Sequence, residues 1–157
     1  MAGACLDNKS QFKGLDSVDL LARCIYSEAE DQSLTGKRGV YWVVVNRKAK
    51  NSSEFGGNTV AGVILKDGAF AGMDRSEALC PDTGSSAWSK SLSIAQNGGA
   101  NPIGNCLWFN ANWLYEERIS YPNGNKHYTF PDPGSKPKKV IEEVVIQDHT
   151  FFRVEGY

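Results

Sequence analysis

The chain has 157 residues, 41% of them hydrophobic, enough to close a compact core and to exclude a disordered or fibrous class. Lys and Arg number 17 against 18 Asp and Glu, a formal net charge of -1, so no electrostatic grip on nucleic acid or anionic lipid is expected. No stretch approaches the roughly 20 apolar residues of a membrane span, so no membrane span is expected.

Residues 1–15 read as a polar leader. Asp16 and Ser17 then offer capping oxygens ahead of an apolar-periodic run over residues 18–29. Leu20, Cys24 and Glu28 recur at helical spacing, with Leu21, Ile25 and Ala29 in the neighbouring row, so Glu28 closes the inward stripe of a first helix. Glu30, Asp31 and Gln32 break the pattern, and residues 33–36 read as a turn. Residues 40–45 are Val-Tyr-Trp-Val-Val-Val; propensity alone suits a buried strand, and periodicity does not decide between strand and helix.

Asn58 and Thr59 are placed to cap a short helix carrying Val60, Val63 and Ile64, ended by Asp67 and Gly68. Trp88, Leu92 and Ala95 mark another helix, closed by Gly98 and Gly99. Residues 107–114 are aromatic and Asn-rich, and residues 121–139 read as an exposed excursion. Residues 140–146 and 150–154 form a closing β-hairpin around Gln147, Asp148 and His149. The expectation is one α+β domain over residues 1–157, without internal repeat or linker.

A carboxyl group at the end of an apolar helical stripe is costly to ionise, and burial raises its pKa. A general acid needs that property to protonate the leaving oxygen of a glycoside, which makes Glu28 the first candidate. The ordinary alternative is a helix-end Glu turned into water. A hydrolytic route calls for a second carboxylate, for which Asp31, Glu54, Asp67 and Asp74 are available. Asp31 shares the face of Glu28 only if the helix persists. Asn46 and Arg47 end the Val-rich element, where they either orient a sugar or a carboxyl group or form a plain polar helix end.

Two histidines, His127 and His149, stand far apart and outside any H-E-x-x-H arrangement, so neither a metal nor a cofactor is expected. Cys24 with His149 is the pairing a cysteine peptidase would use, yet a mid-helix thiol on an apolar face behaves as a small hydrophobe. Among the four cysteines, Cys80 and Cys106 lie in loop-like sequence and are the first expected bridge, with four reduced thiols as the alternative.

Several segments together resemble the SleB/CwlJ family of cell-wall hydrolases, known from spore cortex-lytic enzymes. They are Leu20-Leu21-Ala22-Arg23-Cys24-Ile25-Tyr26-Ser27-Glu28-Ala29, the stretch from Gly36 to Asn46-Arg47, Thr59-Val60-Ala61-Gly62-Val63-Ile64, and Gly68-Ala69-Phe70. Ala87-Trp88, Leu107-Trp108-Phe109-Asn110 and His149-Thr150-Phe151-Phe152 follow in the family's order. The resemblance implies a lysozyme-like α+β fold, mainly helical with a small β-hairpin or sheet. Glu28 matches the family's catalytic glutamate, and residues 40–47 become a helix that brings Asn46 and Arg47 near the cleft. Phe70, Trp108, Phe109 and Asn110 match positions that line or support the substrate groove.

The implied substrate is the peptidoglycan strand, cut between N-acetylmuramic acid and N-acetylglucosamine. With one matched carboxyl, the favoured route is that of a lytic transglycosylase, Glu28 serving as acid and then base. A hydrolytic muramidase using Asp31 or a distal acid is the first alternative. A non-catalytic module that stacks sugars on Trp42, Trp108 and Trp113 is the second. The sequence also departs from the family, which commonly continues Glu-Ala-x-Gly-Glu where this chain has Glu28-Ala29-Glu30-Asp31-Gln32. Action at the cell wall is implied, in periplasm, extracellular space or spore cortex. Residues 1–13 lack the pattern of a secretory signal, so delivery is expected from a phage lysis system, a secretion apparatus or spore deposition, unless a signal peptide has been removed.

Overall fold

In the computed structural model, which describes Met1–Tyr157, the Asp16 side chain accepts the Asp19 amide at 2.9 Å and starts helix α1, Ser17–Ala29. The capping oxygen satisfies one of the amides that a helix start leaves without a partner. Leu20, Cys24 and Ile25 are buried along α1, as the stripe requires. α1 belongs to the first of two compact units, Met1–Pro102; the second is Ile103–Tyr157.

Helix α2, Leu34–Lys50, contains the ambiguous valine run. Ser33 Oγ accepts the Gly36 amide at 3.1 Å, so the expected turn at residues 33–36 is the cap and first turn of α2. Val40, Val43, Val44 and Arg47 are all buried, a spacing that a strand cannot put on one face. Tertiary packing therefore overrides the β propensity of the valines.

Three further helices complete the unit: α3, Val60–Ile64, capped by Thr59; α4, Ser76–Leu79; and α5, Ser86–Asn97, capped by Ser85. Short 3-10 turns lie at Lys9–Gly14, Ser53–Phe55 and Ala71–Asp74. Trp88 on α5 meets Tyr26 on α1 edge to face, with ring centroids 5.8 Å apart.

Residues 1–15 are built into this unit rather than trailing from it. Phe12 is buried, and the Gly3 amide donates to Asp19 Oδ1 at 3.0 Å. Arg23, fully buried, pairs with Asp19 at 2.8 Å and donates to the carbonyls of Ala4, Ala78 and Leu79. One guanidinium thus draws the chain before Cys5 and the chain before Cys80 onto α1. Those two cysteines form the disulfide. The expected Cys80–Cys106 bridge is corrected accordingly: Cys106 is a free, buried thiol of the second unit.

In the second unit, β1 is Trp108–Ala111, α6 Asn112–Glu117, β2 Ile119–Ser120, β3 His127–Tyr128, β4 Lys138–Ile146 and β5 His149–Val154. The sheet order is β1-β5-β4-β3-β2, every pairing antiparallel. The expected hairpin is β4–β5, turning through Gln147 in left-handed conformation at φ 53°. The excursion at residues 121–139 is not wholly exposed, because it supplies β3. Tyr128 from that strand is buried with Tyr115, Phe152 and Val154. The architecture is α+β, mainly helical with one small sheet, as expected.

Candidate active site

Glu28 sits one residue before the end of α1, so its position depends on how that helix stops. The last carbonyls of a helix have no internal partner. Here Lys37 supplies one: its buried Nζ donates to the carbonyls of Ala29, Glu30 and Gln32 at 2.8, 2.9 and 2.7 Å. A buried cation at a helix C-terminus also complements the helix dipole. Burial in turn holds the Lys37 pKa below its ordinary value. Nothing in the local sequence of Lys37, one turn into α2, signals that it folds back onto α1.

The side chain of Glu28 is partly buried, and its Oε1 accepts the Gly72 amide at 2.9 Å. Burial pushes the carboxyl above its ordinary value of 4.5, while the Gly72 hydrogen bond and the charges of Arg75 and Arg47 pull less strongly the other way. Both charges that bear on it are cations. The result is an acid poised to keep its proton closer to neutrality than an exposed glutamate would, while held in one orientation.

Arg47 is buried at the end of α2, its guanidinium 5.5 Å from the centroid of Phe55 and 5.0 Å from that of Phe70. Two aromatic faces stabilise a cation that has lost its water. Desolvation lowers its pKa to about 10, so it remains charged at neutral pH. Arg47 extends the face of Val40, Val43 and Val44, and this brings its charge to bear on Glu28. Of the residues expected at the site, Glu28, Arg47 and Phe70 are therefore gathered together. Asn46, the neighbour of Arg47 on α2, is half-buried. Arg47 and Phe70 are both buried and packed against each other.

Asp31 does not share the face of Glu28. α1 ends at Ala29, and Asp31 is exposed, accepting from Gln32 Nε2 at 3.0 Å. Cys24 is buried one turn before Glu28, and burial together with the Glu28 charge holds its thiol well above the ordinary range. A thiol so protonated is a poor nucleophile.

The second unit carries the remaining candidates. Trp108 is boxed by Phe130, Phe152 and Tyr157, with centroids 5.0, 5.8 and 4.8 Å away, which makes it a wall of the aromatic core. Asn110 Nδ2 donates to the Tyr128 hydroxyl at 2.6 Å, and Arg118 donates to the same oxygen at 2.9 Å. In the first unit Trp42 donates to the Gly99 carbonyl at 3.2 Å, whereas Trp113 of the second unit stands exposed.

Residues 31–152 match the sequence profile of the family described as Cell Wall Hydrolase. The chain belongs to the cell wall hydrolase family. Among solved structures, the catalytic domain of the Bacillus cereus SleB protein is similar at 22% identity, with a TM-score of 0.54 and 95% of each chain covered. The catalytic domain of a germination-specific lytic transglycosylase, SleB from Bacillus anthracis, matches at 22% identity and TM-score 0.54 over 87% of this chain and 93% of that one. No curated protein sequence matches significantly. This cell wall hydrolase therefore has the α+β fold of those domains. Gly72 and Arg75, which act on Glu28 without any local sequence signal, lie just beyond the Gly68-Ala69-Phe70 segment.

Proposed function

We propose that the enzyme is a lytic transglycosylase that cuts the glycan strand between N-acetylmuramic acid and N-acetylglucosamine, with Glu28 as its acid and base. The observation that carries this reading is a single partly buried carboxyl, its pKa raised, held by one backbone amide and flanked only by cationic charge. Protonated Glu28 gives its proton to the glycosidic oxygen as the bond to the muramoyl anomeric carbon breaks. The resulting carboxylate then takes the proton of the muramoyl C6 hydroxyl while that oxygen bonds to the anomeric carbon. No water is consumed, no second carboxylate is required, and Glu28 ends protonated again.

Arg47 and Arg75 serve the second half of this cycle, because cations near Glu28 stabilise the carboxylate left by the first proton transfer. Arg47 does so from the Phe55–Phe70 stack as a positioning residue. The SleB catalytic domain of Bacillus anthracis, named as a lytic transglycosylase, adds support by likeness of fold. Mass spectrometry of fragments released from purified walls tests the route. Anhydro-muramoyl ends are expected, and reducing ends heavier by one water would replace this reading with hydrolysis.

A further inference from the structure

The first unit holds a cavity of about 390 Å³ between the Lys9–Gly14 turn and the chain around residues 64–74. Phe12, Ile64, Phe70 and Met73 give it an apolar lining. Its rim carries charge of both signs. Lys9 and Asp74 neutralise each other at 2.6 Å across one side. Three charges then remain on the rim: Lys13 and Lys66 as cations and Asp67 as an anion, with Lys66 Nζ bound only to the neutral Ser53 carbonyl at 3.2 Å. A ligand complementary to this surface is short, partly aliphatic, and carries carboxylates together with an ammonium group.

The cavity also adjoins the machinery around Glu28. Phe70, one of its walls, lies under the Arg47 guanidinium, and Met73, another, receives the Ser27 hydroxyl at 4.0 Å beside Glu28. Gly72 lies between these two wall residues in sequence and donates to Glu28. The cavity wall and the amide that holds the acid therefore belong to the same segment, residues 70–73.

We propose that this cavity is a subsite for the peptide stem of the wall polymer, taking its carboxylates on Lys13 and Lys66 and the ammonium of its diamino acid on Asp67. The inference rests on the reading of the glycan strand as substrate. On a peptide-bearing strand the lactyl carboxyl of N-acetylmuramic acid is tied up as an amide, and the strand's own sugars carry no charge, whereas the stems supply both signs of charge and short aliphatic side chains. The sugar and its peptide would then be read from adjoining parts of one loop, which makes the subsite a determinant of preference between peptide-bearing and peptide-free strands.

The test uses the stem tripeptide L-alanyl-γ-D-glutamyl-diaminopimelate as probe, followed by the methyl NMR signals of Ile64 and Met73. Saturable shifts are expected in the wild-type protein, with Lys13→Glu and Lys66→Glu each weakening the peptide by about tenfold. Both variants should cleave peptide-free strands at the wild-type rate and show a raised KM with unchanged kcat on peptide-bearing strands. Absent shifts at millimolar peptide, shifts unaltered by both charge reversals, or equal losses on the two kinds of strand would each overturn the subsite. Peptide binding is read without turnover, so a failure of the transglycosylase reading shows separately, as reducing ends or no cleavage beside an intact binding curve.

Discussion

The Gly72 amide donates to Glu28 Oε1 at 2.9 Å, and it can approach α1 so closely because Gly72 carries no side chain. A Cβ at that position would stand 2.6 Å from Ser27 Oγ and 2.9 Å from the Ser27 carbonyl carbon. The hydroxyl can rotate away; the carbonyl carbon belongs to the helix and cannot. Gly72→Ala must therefore lift the Ala71–Asp74 turn off α1 and break the amide–carboxylate hydrogen bond. We expect turnover on purified walls to fall by about 10²-fold, the typical effect of misplacing a reacting group by an ångström. Overpacking should cost about 1–3 kcal/mol, read by denaturant melting. Wild-type turnover in this variant would show that the amide does not position the acid.

Glu28→Gln separates the chemistry of the site from its stability. Activity should drop by ~10²-fold or more, since the amide has no transferable proton. Stability should move the other way. The folded pKa of Glu28 lies above its ordinary 4.5, so the stability tied to this group is full below the unfolded value and is lost as pH rises through the folded one. The Gln variant escapes that loss. Its melting temperature is expected to exceed the wild-type value at neutral pH, with the gap closing as pH falls through the folded pKa toward 4.5. A constant gap across that range would contradict the raised pKa.

How much of this was legible in sequence follows from the range of the interactions involved. The stripe Leu20, Cys24, Glu28 and the Asp16 cap are local, and both were read correctly from spacing and residue type. The valine run of α2 was not decidable from propensity, because its helix is imposed by packing of Val40, Val43 and Val44. Lys37 folding back onto Ala29 and Gln32, and Gly72 reaching Glu28 from 44 residues away, depend on tertiary approach and left no periodic trace. Cys5 was set aside with the leader, since nothing local announces that Arg23 gathers the Ala4 and Leu79 carbonyls.

Arg47→Met removes the stacked cation while keeping a long side chain between Phe55 and Phe70. The Arg47 charge lowers the Glu28 pKa, so its loss lets that pKa rise further. A general acid works while protonated, and the alkaline limb of the kcat/KM profile should therefore move to higher pH. Turnover itself should fall, because the carboxylate formed in the first step loses a stabilising cation. An alkaline limb that stays in place in a folded Arg47→Met protein would remove Arg47 from the electrostatics of the site and leave it a packing role.

The Cys5–Cys80 disulfide closes a loop with a sequence separation of 75, and within that loop lie α1, α2 and the turn bearing Gly72. Cross-links of this span act mainly by restricting the unfolded chain, a contribution of about 2–5 kcal/mol. The paired Cys5→Ser, Cys80→Ser variant should lose that much in chemical denaturation. The native geometry at Glu28 should survive under mild conditions, because Arg23 still holds the Ala4, Ala78 and Leu79 carbonyls independently of the sulfur atoms. Turnover at low temperature is therefore expected to remain near wild type, and the loss of activity on heating to come earlier. Adding Arg23→Met should abolish the remaining tolerance, since it takes away the second tie to the same two segments and leaves Asp19 buried without its cation. Peptide mapping without reductant provides the control, with Cys5 and Cys80 recovered in one linked fragment and Cys24 and Cys106 as thiols. Recovery of a Cys80–Cys106 fragment instead would overturn the assignment on which this prediction stands.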